Sequence, residues 1–404
     1  MTIPISTIPV ADLGDLPGRS PISQTSAWIH DGRGLIAWGE YASVRLRGLD
    51  ALREGEDWFA SQIAKCEVTD AVRRPGSGPI AFVSGPFDPE HADTVFVIPQ
   101  FILGRDEFGC WLTHIGGIAS ASDVPGKYEC ASPGTVSYSD GSLEPAQWER
   151  IVAEAINRIR AGRLDKVVLA RDILAQTTDP IDPRLLIGRL ATEYNSCWTY
   201  CVDGLVGATP ELLVRLIDGH VYSRVLAGTE WGEGAYERVR RPKNLIEHAY
   251  AAQSAIDSLA KVCIRLDAPA EPKVLTLPNV VHLATEIRGD VADEIGPSQV
   301  AAAMHPTAAV GGTPRDIALA TITELEQLNR GRYAGPVGWI DAHHNGEFGI
   351  ALRGGQILDP HTIQLFAGCG IVADSDPESE LAETISKFVV MRDALETRSA
   401  ELAR

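Results

Sequence analysis

The sequence predicts an α+β fold built on a large, mostly antiparallel β-sheet. Three observations lead there. Short apolar runs broken by Gly and Pro recur at close spacing; long amphipathic patterns are few; and the two kinds of signal do not alternate in the regular βαβ rhythm of a doubly wound fold. The chain has 404 residues, of which 45% are apolar and 22% charged. That is ordinary for a globular protein with a sizeable core, and it excludes wholesale disorder and fibrous repeats.

In chain order, residues 1–24 are rich in Pro, Ser and Thr with scattered apolar positions, and read as a loosely packed, variable opening segment. Residues 25–404 show no repeat, low-complexity tract or charge block and read as one unit. The runs at 34–39, 80–83 and 94–98 are strands at close spacing. A helix follows, because Trp148, Ile151, Val152, Ala155, Ile156 and Ile159 recur at three and four, and Gly162 stands where a helix-ending glycine belongs. Lys166–Arg171 is the next strand, with further strands at 199–206, 212–216, 220–226, 335–341, 347–353 and 362–367. Long helices are expected at 243–263, 315–326 and 377–397, the last opened by a capping box of Ser375 with Glu378 and by Pro377.

Thirty-six Lys and Arg stand against 54 Asp and Glu, a net charge of −18. A surface of that sign repels polyanions, so nucleic acid is not an expected partner, although a local basic pocket can still hold a small anion. No basic and apolar leader opens the chain, and no apolar run approaches the roughly 20 residues needed to span a bilayer. Seven cysteines without a CxxC pair read as reduced thiols, so a cytoplasmic protein is expected.

Several residues could carry chemistry. Glu247 lies early in a helix among small neighbours, and Glu380, Glu383 and Lys387 fall on one face of the last helix. Facing Glu247, that stripe would form a carboxylate cluster fit for Mg²⁺, while alone it reads equally as a solvated acidic face. Gly368 and Gly370 end a strand, where bare amides can hold an anion or simply make a tight turn. The small residues from His305 through Ala309 to Pro314 leave room for a ligand, as a plain loop also would. Lys166, opening an apolar strand, is a general base if desolvated and a strand-mouth lysine if not; Glu211, after Pro210, is a general acid if buried.

Together these pieces form a pattern. Lys166–Arg171, Ala208–Leu213, Leu226–Thr229, Lys243–His248, His305–Pro314, Gly331–Trp339, Ala351–Arg353 and the Gly368–Glu383 stretch occur in the order found in chorismate-utilising enzymes. The chain resembles the isochorismate-forming branch of that family, most strongly over residues 145–397. The resemblance implies two lobes around a large, mainly antiparallel sheet, helices outside and an active site in a cleft. It also implies Mg²⁺ held by Glu247 and Glu380, with Glu383 and Asn244 nearby and the Ala227-Gly228-Thr229 turn beside the ring carboxylate of chorismate. The enolpyruvyl carboxylate is expected near Tyr333, Arg353, the Gly368 and Gly370 amides and Lys387. Lys166 would activate water for attack at C2, and Glu211 would protonate the hydroxyl leaving C4.

Ammonia-using relatives usually carry glutamine at the Lys166 position, and the aminodeoxychorismate type carries lysine at the Ala227 position, so no amidotransferase partner is expected. His305 and Ala309 resemble the members that stop at isochorismate, a precursor for menaquinone or siderophores. Members that go on to salicylate tend to have threonine at the Ala309 position, and salicylate synthase is the alternative reading. A non-catalytic chorismate or metal binder would have no need of both Lys166 and Glu211. The 230–234 loop departs from the family pattern, and no function is carried onto it.

Overall fold

A computed structural model describes residues 2–22, 24–232, 234–277 and 280–396, with the backbone alone of Thr229, Trp231, Lys243, Glu247, Leu277 and Val280. The strands are β1 Ile3–Val10, β2 Thr25–His30, β3 Arg33–Leu46, β4 Cys66–Asp70, β5 Ile80–Ser84, β6 Thr94–Asp106, β7 Gly109–Ile115, β8 Val136–Asp140, β9 Lys166–Thr177, β10 Trp198–Val202, β11 Leu205–Thr209, β12 Leu212–Ile217, β13 His220–Trp231, β14 Cys263–Asp267, β15 Lys273–Leu277, β16 Val280–Val291, β17 Gly312–Thr313, β18 Pro336–Asp341, β19 Gly346–Ile350, β20 Gly354–Asp359 and β21 Thr362–Ile371. The helices are α1 Ala51–Ile63, α2 Pro145–Arg160, α3 Pro183–Glu193, α4 Ala235–Arg238, α5 Pro242–Leu259, α6 Pro297–Met304, α7 Arg315–Leu325 and α8 Pro377–Leu395. None of the described helices is long and apolar enough to cross a membrane.

The strands form one hydrogen-bonded network, and among the described residues only β1 and β4 pair in parallel. The network forks at β3 and β6. Gly39 takes φ +70°, a conformation cheap only for glycine, and the β3/β6 register shifts between Glu40 and Ala42 opposite Pro99. On one side of the bend β3 continues to β2, β10, β11, β20, β21 and β9; on the other β6 continues to β5, β18, β19, β12, β13 and β16. The main core, with Phe82, Phe96, Trp148 and Phe348 fully buried, includes residues of both branches together with the apolar faces of α2, α6 and α7. A second core sits under α3 and the C-terminal half of α8.

The α+β reading with a mainly antiparallel sheet therefore holds, and so do the helices of α2, α5, α7 and α8, with Gly162 at φ +71° just past α2. Four details differ. The opening segment is not loose, since β1 is hydrogen-bonded between β4 and β7 and Leu16 is fully buried. The run at 199–206 is a hairpin, turned at Asp203-Gly204 with both residues at positive φ. The 347–353 strand stops at Ile350, which leaves Arg353 on a loop. The cap of α8 is Asp376, whose carboxylate accepts the Ser379 N–H at 3.0 Å, while Ser375 Oγ accepts the Val372 N–H.

Candidate active site

A cleft of about 770 Å³ lies where β9 and the end of β21 face β13, α5 and the first turns of α8. Lys166 opens β9 on its floor. The register decides what the neighbouring strand offers. Val168 donates its N–H to the Gly311 carbonyl at 2.9 Å and its carbonyl accepts from Arg330 Nη2 at 2.8 Å; Ala170 donates its N–H to Glu326 Oε2 at 2.9 Å and its carbonyl accepts from Trp148 Nε1 at 3.1 Å. Both residues thus turn their peptide groups away from β21. Their partners across the ladder, Gly370 and Gly368, are non-hydrogen-bonded partners that point their own groups the other way, beyond the reach of β20, which leaves β21 at Leu365. The bare amides expected from the sequence face the cleft, and the Gly368 carbonyl accepts Lys387 Nζ at 2.6 Å.

Glu211 lies between β11 and β12 and lines the cleft, half-buried. Burial pushes its carboxyl up to about 7, against the opposing pull of the Lys166 charge, so a large fraction is neutral at neutral pH. Tyr333 stacks on Phe366 with ring centres 5.0 Å apart, and burial raises its phenol to about 12. Arg353 has no carboxylate at ion-pair distance among the described residues. It holds φ +50°, and Ala334 beside it in the cleft wall holds φ +61°. Two non-glycine residues in the left-handed region at one site mark backbone strain concentrated where function is expected.

At the other end, Gly228 takes φ +70°, a conformation cheap only for glycine, and a Cβ there would be tight, 3.1 Å from the Asn244 carbonyl oxygen, where α5 closes onto β13. Asn244 Nδ2 donates to Glu230 Oε1 at 3.1 Å and to the Arg238 carbonyl at 3.0 Å, so Glu230, also held by Arg238 Nε at 3.1 Å, ties the 230–242 loop to α5. On α8, Glu380, Glu383 and Lys387 share the half-buried face that lines the cleft, and Glu383 Oε1 pairs with Lys387 Nζ at 2.6 Å. The Glu247 and Thr229 side chains lie outside the described residues, although their backbones belong to α5 and β13.

Among the described residues no three His, Cys, Asp or Glu side chains form a ready metal cluster. The carboxylates lining the cleft include those of Glu380, Glu383 and Asp374, besides Glu230, which is held by Asn244 and Arg238, and Asp376, which caps α8. Cys369 lines the cleft too, but burial holds its thiol far above its usual range, so it offers no thiolate. Oxygen donors of this kind suit a hard cation.

Of the candidates from sequence, Lys166, Glu211, Ala227, Gly228, Ala309, Tyr333, Arg353, Gly368, Gly370, Glu380, Glu383 and Lys387 all line this one cleft. His305 does not. Its ring is buried behind the loop that carries Ala309, donates from Nε2 to the Phe87 carbonyl at 3.0 Å, and borders a separate cavity with Phe87 and Arg315. Burial lowers its pKa to about 4, so it is a neutral core histidine. Sequence reasoning passed over His282, Arg241 and Arg330, which also line the cleft. His282 carried a usable signal: it is the polar position of β16 between the buried Val281 and Leu283.

Comparison with known proteins identifies the family of the chain. A family model described as "Chorismate binding enzyme" matches residues 26–396. The salicylate biosynthesis isochorismate synthase of Pseudomonas aeruginosa is 38% identical over 370 residues, which cover 88% of this chain and 69% of that protein. The isochorismate synthase MenF of Bacillus subtilis is 30% identical over 81% of this chain and 76% of its own length. Among solved structures, MenF of Escherichia coli superimposes with a TM-score of 0.78 over 98% of this chain and 95% of its own, at 23% identity, a likeness of fold alone. With a family model spanning nearly its whole length, the chain belongs to the chorismate binding enzymes.

Proposed function

We propose that the protein is an isochorismate synthase, converting chorismate to isochorismate reversibly by attack of water at C2 and loss of the C4 hydroxyl. The observation that carries this reading is that one cleft holds Lys166 together with a Glu211 carboxyl raised to about 7. A hydration with allylic displacement needs a base for the incoming water and an acid for the departing hydroxyl, and these two groups supply that pair. Lys166 takes a proton from water as its oxygen bonds to C2. Both ring double bonds shift, C1=C2 to C1=C6 and C5=C6 to C4=C5, the C4–O bond breaks, and neutral Glu211 gives its proton to the hydroxyl so that it departs as water. The curated relatives named isochorismate synthases support the same reaction.

Arg353, Tyr333 and the outward Gly368 and Gly370 amides suit the enolpyruvyl carboxylate, because a planar fork and backbone N–H groups match two carboxylate oxygens. Glu380, Glu383 and, from α5, Glu247 would hold Mg²⁺ beside Gly228. Bound there, the ion neutralises the ring carboxylate and orients the ring. Ala309 gives its part of the cleft wall a methyl group and no hydroxyl, which favours release of isochorismate over elimination of pyruvate. The enzyme acts on its own without an amidotransferase, in a reducing cytoplasm to which its seven unpaired cysteines are suited. The test is incubation with chorismate and MgCl₂, with products identified by mass and ultraviolet spectrum. A product isomeric with chorismate, and regeneration of chorismate from isochorismate, are expected; stoichiometric pyruvate and salicylate would overturn the reading.

A further inference from the structure

β9 is paired with β21 along nearly its whole length, but on its other edge, among the described residues, it has strand partners only at its ends, β17 at Lys166 and Val167 and β8 from Ile173. Between them Val168, Leu169 and Ala170 are buried, where unpaired peptide groups are costly. Among the described residues no strand fills the gap; side chains and a loop do. Arg330 Nη2 donates to the Val168 carbonyl at 2.8 Å and Nη1 to the Val310 carbonyl at 3.0 Å, while Nε and Nη2 fork onto Glu326 at 2.6 and 2.5 Å. Glu326 Oε2 in turn accepts the Ala170 N–H at 2.9 Å. The two side chains are 3% and 2% exposed, and the guanidinium carbon lies 4.0 Å from the centre of the Phe87 ring.

A buried ion pair is a weak source of net stability, because desolvation offsets most of its attraction. What this one supplies is position. It grips the strand two residues beyond Lys166, and through Val310 it grips the loop that brings Ala309 to the cleft, while Arg330 itself forms part of the cleft wall. We propose that Glu326 and Arg330 are positioning residues of the hydration reaction. They replace the missing strand beside β9 and so fix Lys166 against the Gly368 and Gly370 amides and against Ala309. This rests on the reading of the cleft as an isochorismate synthase site.

The test compares Arg330→Lys with a double variant, Glu326→Met with Arg330→Met. The lysine keeps a charge opposite Glu326 but cannot reach both carbonyls. The double variant removes both charges, so that none is left buried alone. Turnover per folded molecule, KM for chorismate, the pH profile and amide hydrogen exchange are read on each. The expected result is a loss of kcat of about 10- to 100-fold with a shifted alkaline limb and a smaller change in KM, because a displacement of about 1 Å is enough for such losses. Faster exchange at Ala170 should accompany it. Wild-type kcat and pH profile in a folded Arg330→Lys or double variant would overturn the proposal. If neither variant folds, the pair is structural and the proposal also falls. A wild-type protein that forms no isochorismate would instead overturn the reaction on which the proposal rests.

Discussion

The aliphatic stem of Lys166 lies over Gly370, so closely that a methyl group at 370 would stand 2.7 Å from Lys166 Cε and 3.3 Å from Nζ. Gly370 has no left-handed backbone to explain its identity; it is bare because the lysine needs the space. Gly370→Ala should therefore fold with little loss in Tm, since a flexible side chain can move aside, yet lose roughly 10- to 100-fold in kcat as the Lys166 amine nitrogen is displaced. Unchanged turnover would show that Lys166 does not work from this position.

Lys166→Gln and Glu211→Gln should each slow hydration by about 10²- to 10⁴-fold, the usual worth of a positioned base or acid. Chorismate affinity should change little, because the anchoring groups are elsewhere in the cleft. The check is single-turnover rate against equilibrium binding of the same variant. A normal rate in either one would reassign its role.

The pH dependence follows from Glu211. Burial raises its carboxyl from 4.5 to about 7, so the proton-bearing form that would donate to the leaving hydroxyl predominates below 7 and is lost as pH rises through that value. The rate should fall on the alkaline side with a midpoint near 7. Stability runs the same way: a carboxyl whose pKa is raised by folding favours the native state most at low pH, and this preference fades as pH climbs through the folded value. Glu211→Gln should therefore gain stability relative to wild type as pH rises, measured as the difference in Tm at pH 5 and pH 9. A difference independent of pH would contradict a buried, raised carboxyl.

Arg353→Lys should raise KM for chorismate nearly as much as Arg353→Ala, because a point charge cannot reproduce a planar fork on a carboxylate. With no carboxylate of its own at ion-pair distance among the described residues, Arg353 should contribute more to binding than to folding. A lysine variant with normal KM would remove it from the substrate contacts.

Chelation should abolish activity, and added MgCl₂ should restore it. Glu380→Gln and Glu383→Gln should each raise the Mg²⁺ concentration needed for half-maximal rate, and the double variant should cost less than the two singles combined, since both would act on one ion. Full activity after EDTA treatment and desalting would refute the metal site.

The parts of the fold that were legible in the sequence are those set by local rules. The α2 helix announced itself through its apolar spacing and Gly162, and α8 through Pro377, although its cap proved to be Asp376. The hairpin of β10 and β11 was hidden in one apolar run, yet Asp203-Gly204 is a strong local turn signal that could have divided it. β1 was obscured because Pro4 and Pro9 and small polar residues masked the alternation of the buried Ile5 and Thr7. The cleft residues on strand ends and helix starts were legible by type and order. Arg330 was not, since its meaning depends on partners at 168, 310 and 326 that only the fold brings together. His305 misled for the complementary reason: nothing in its neighbourhood along the chain reveals that Phe87 claims its ring.

The ladder that sets Val168 opposite Gly370 also fixes when the cleft can come into being during synthesis. β2 waits for β10, β5 for β18, and β9 for β21, so each half of the fork is closed by chain made much later. Such distant pairings are slow to form, because loop closure must be completed before the contacts reward it. Until β21 leaves the ribosome, the inner edge of β9 is an unpaired, apolar strand edge open to other nascent chains. Truncations before Ile371 should therefore yield aggregates rather than a smaller folded protein.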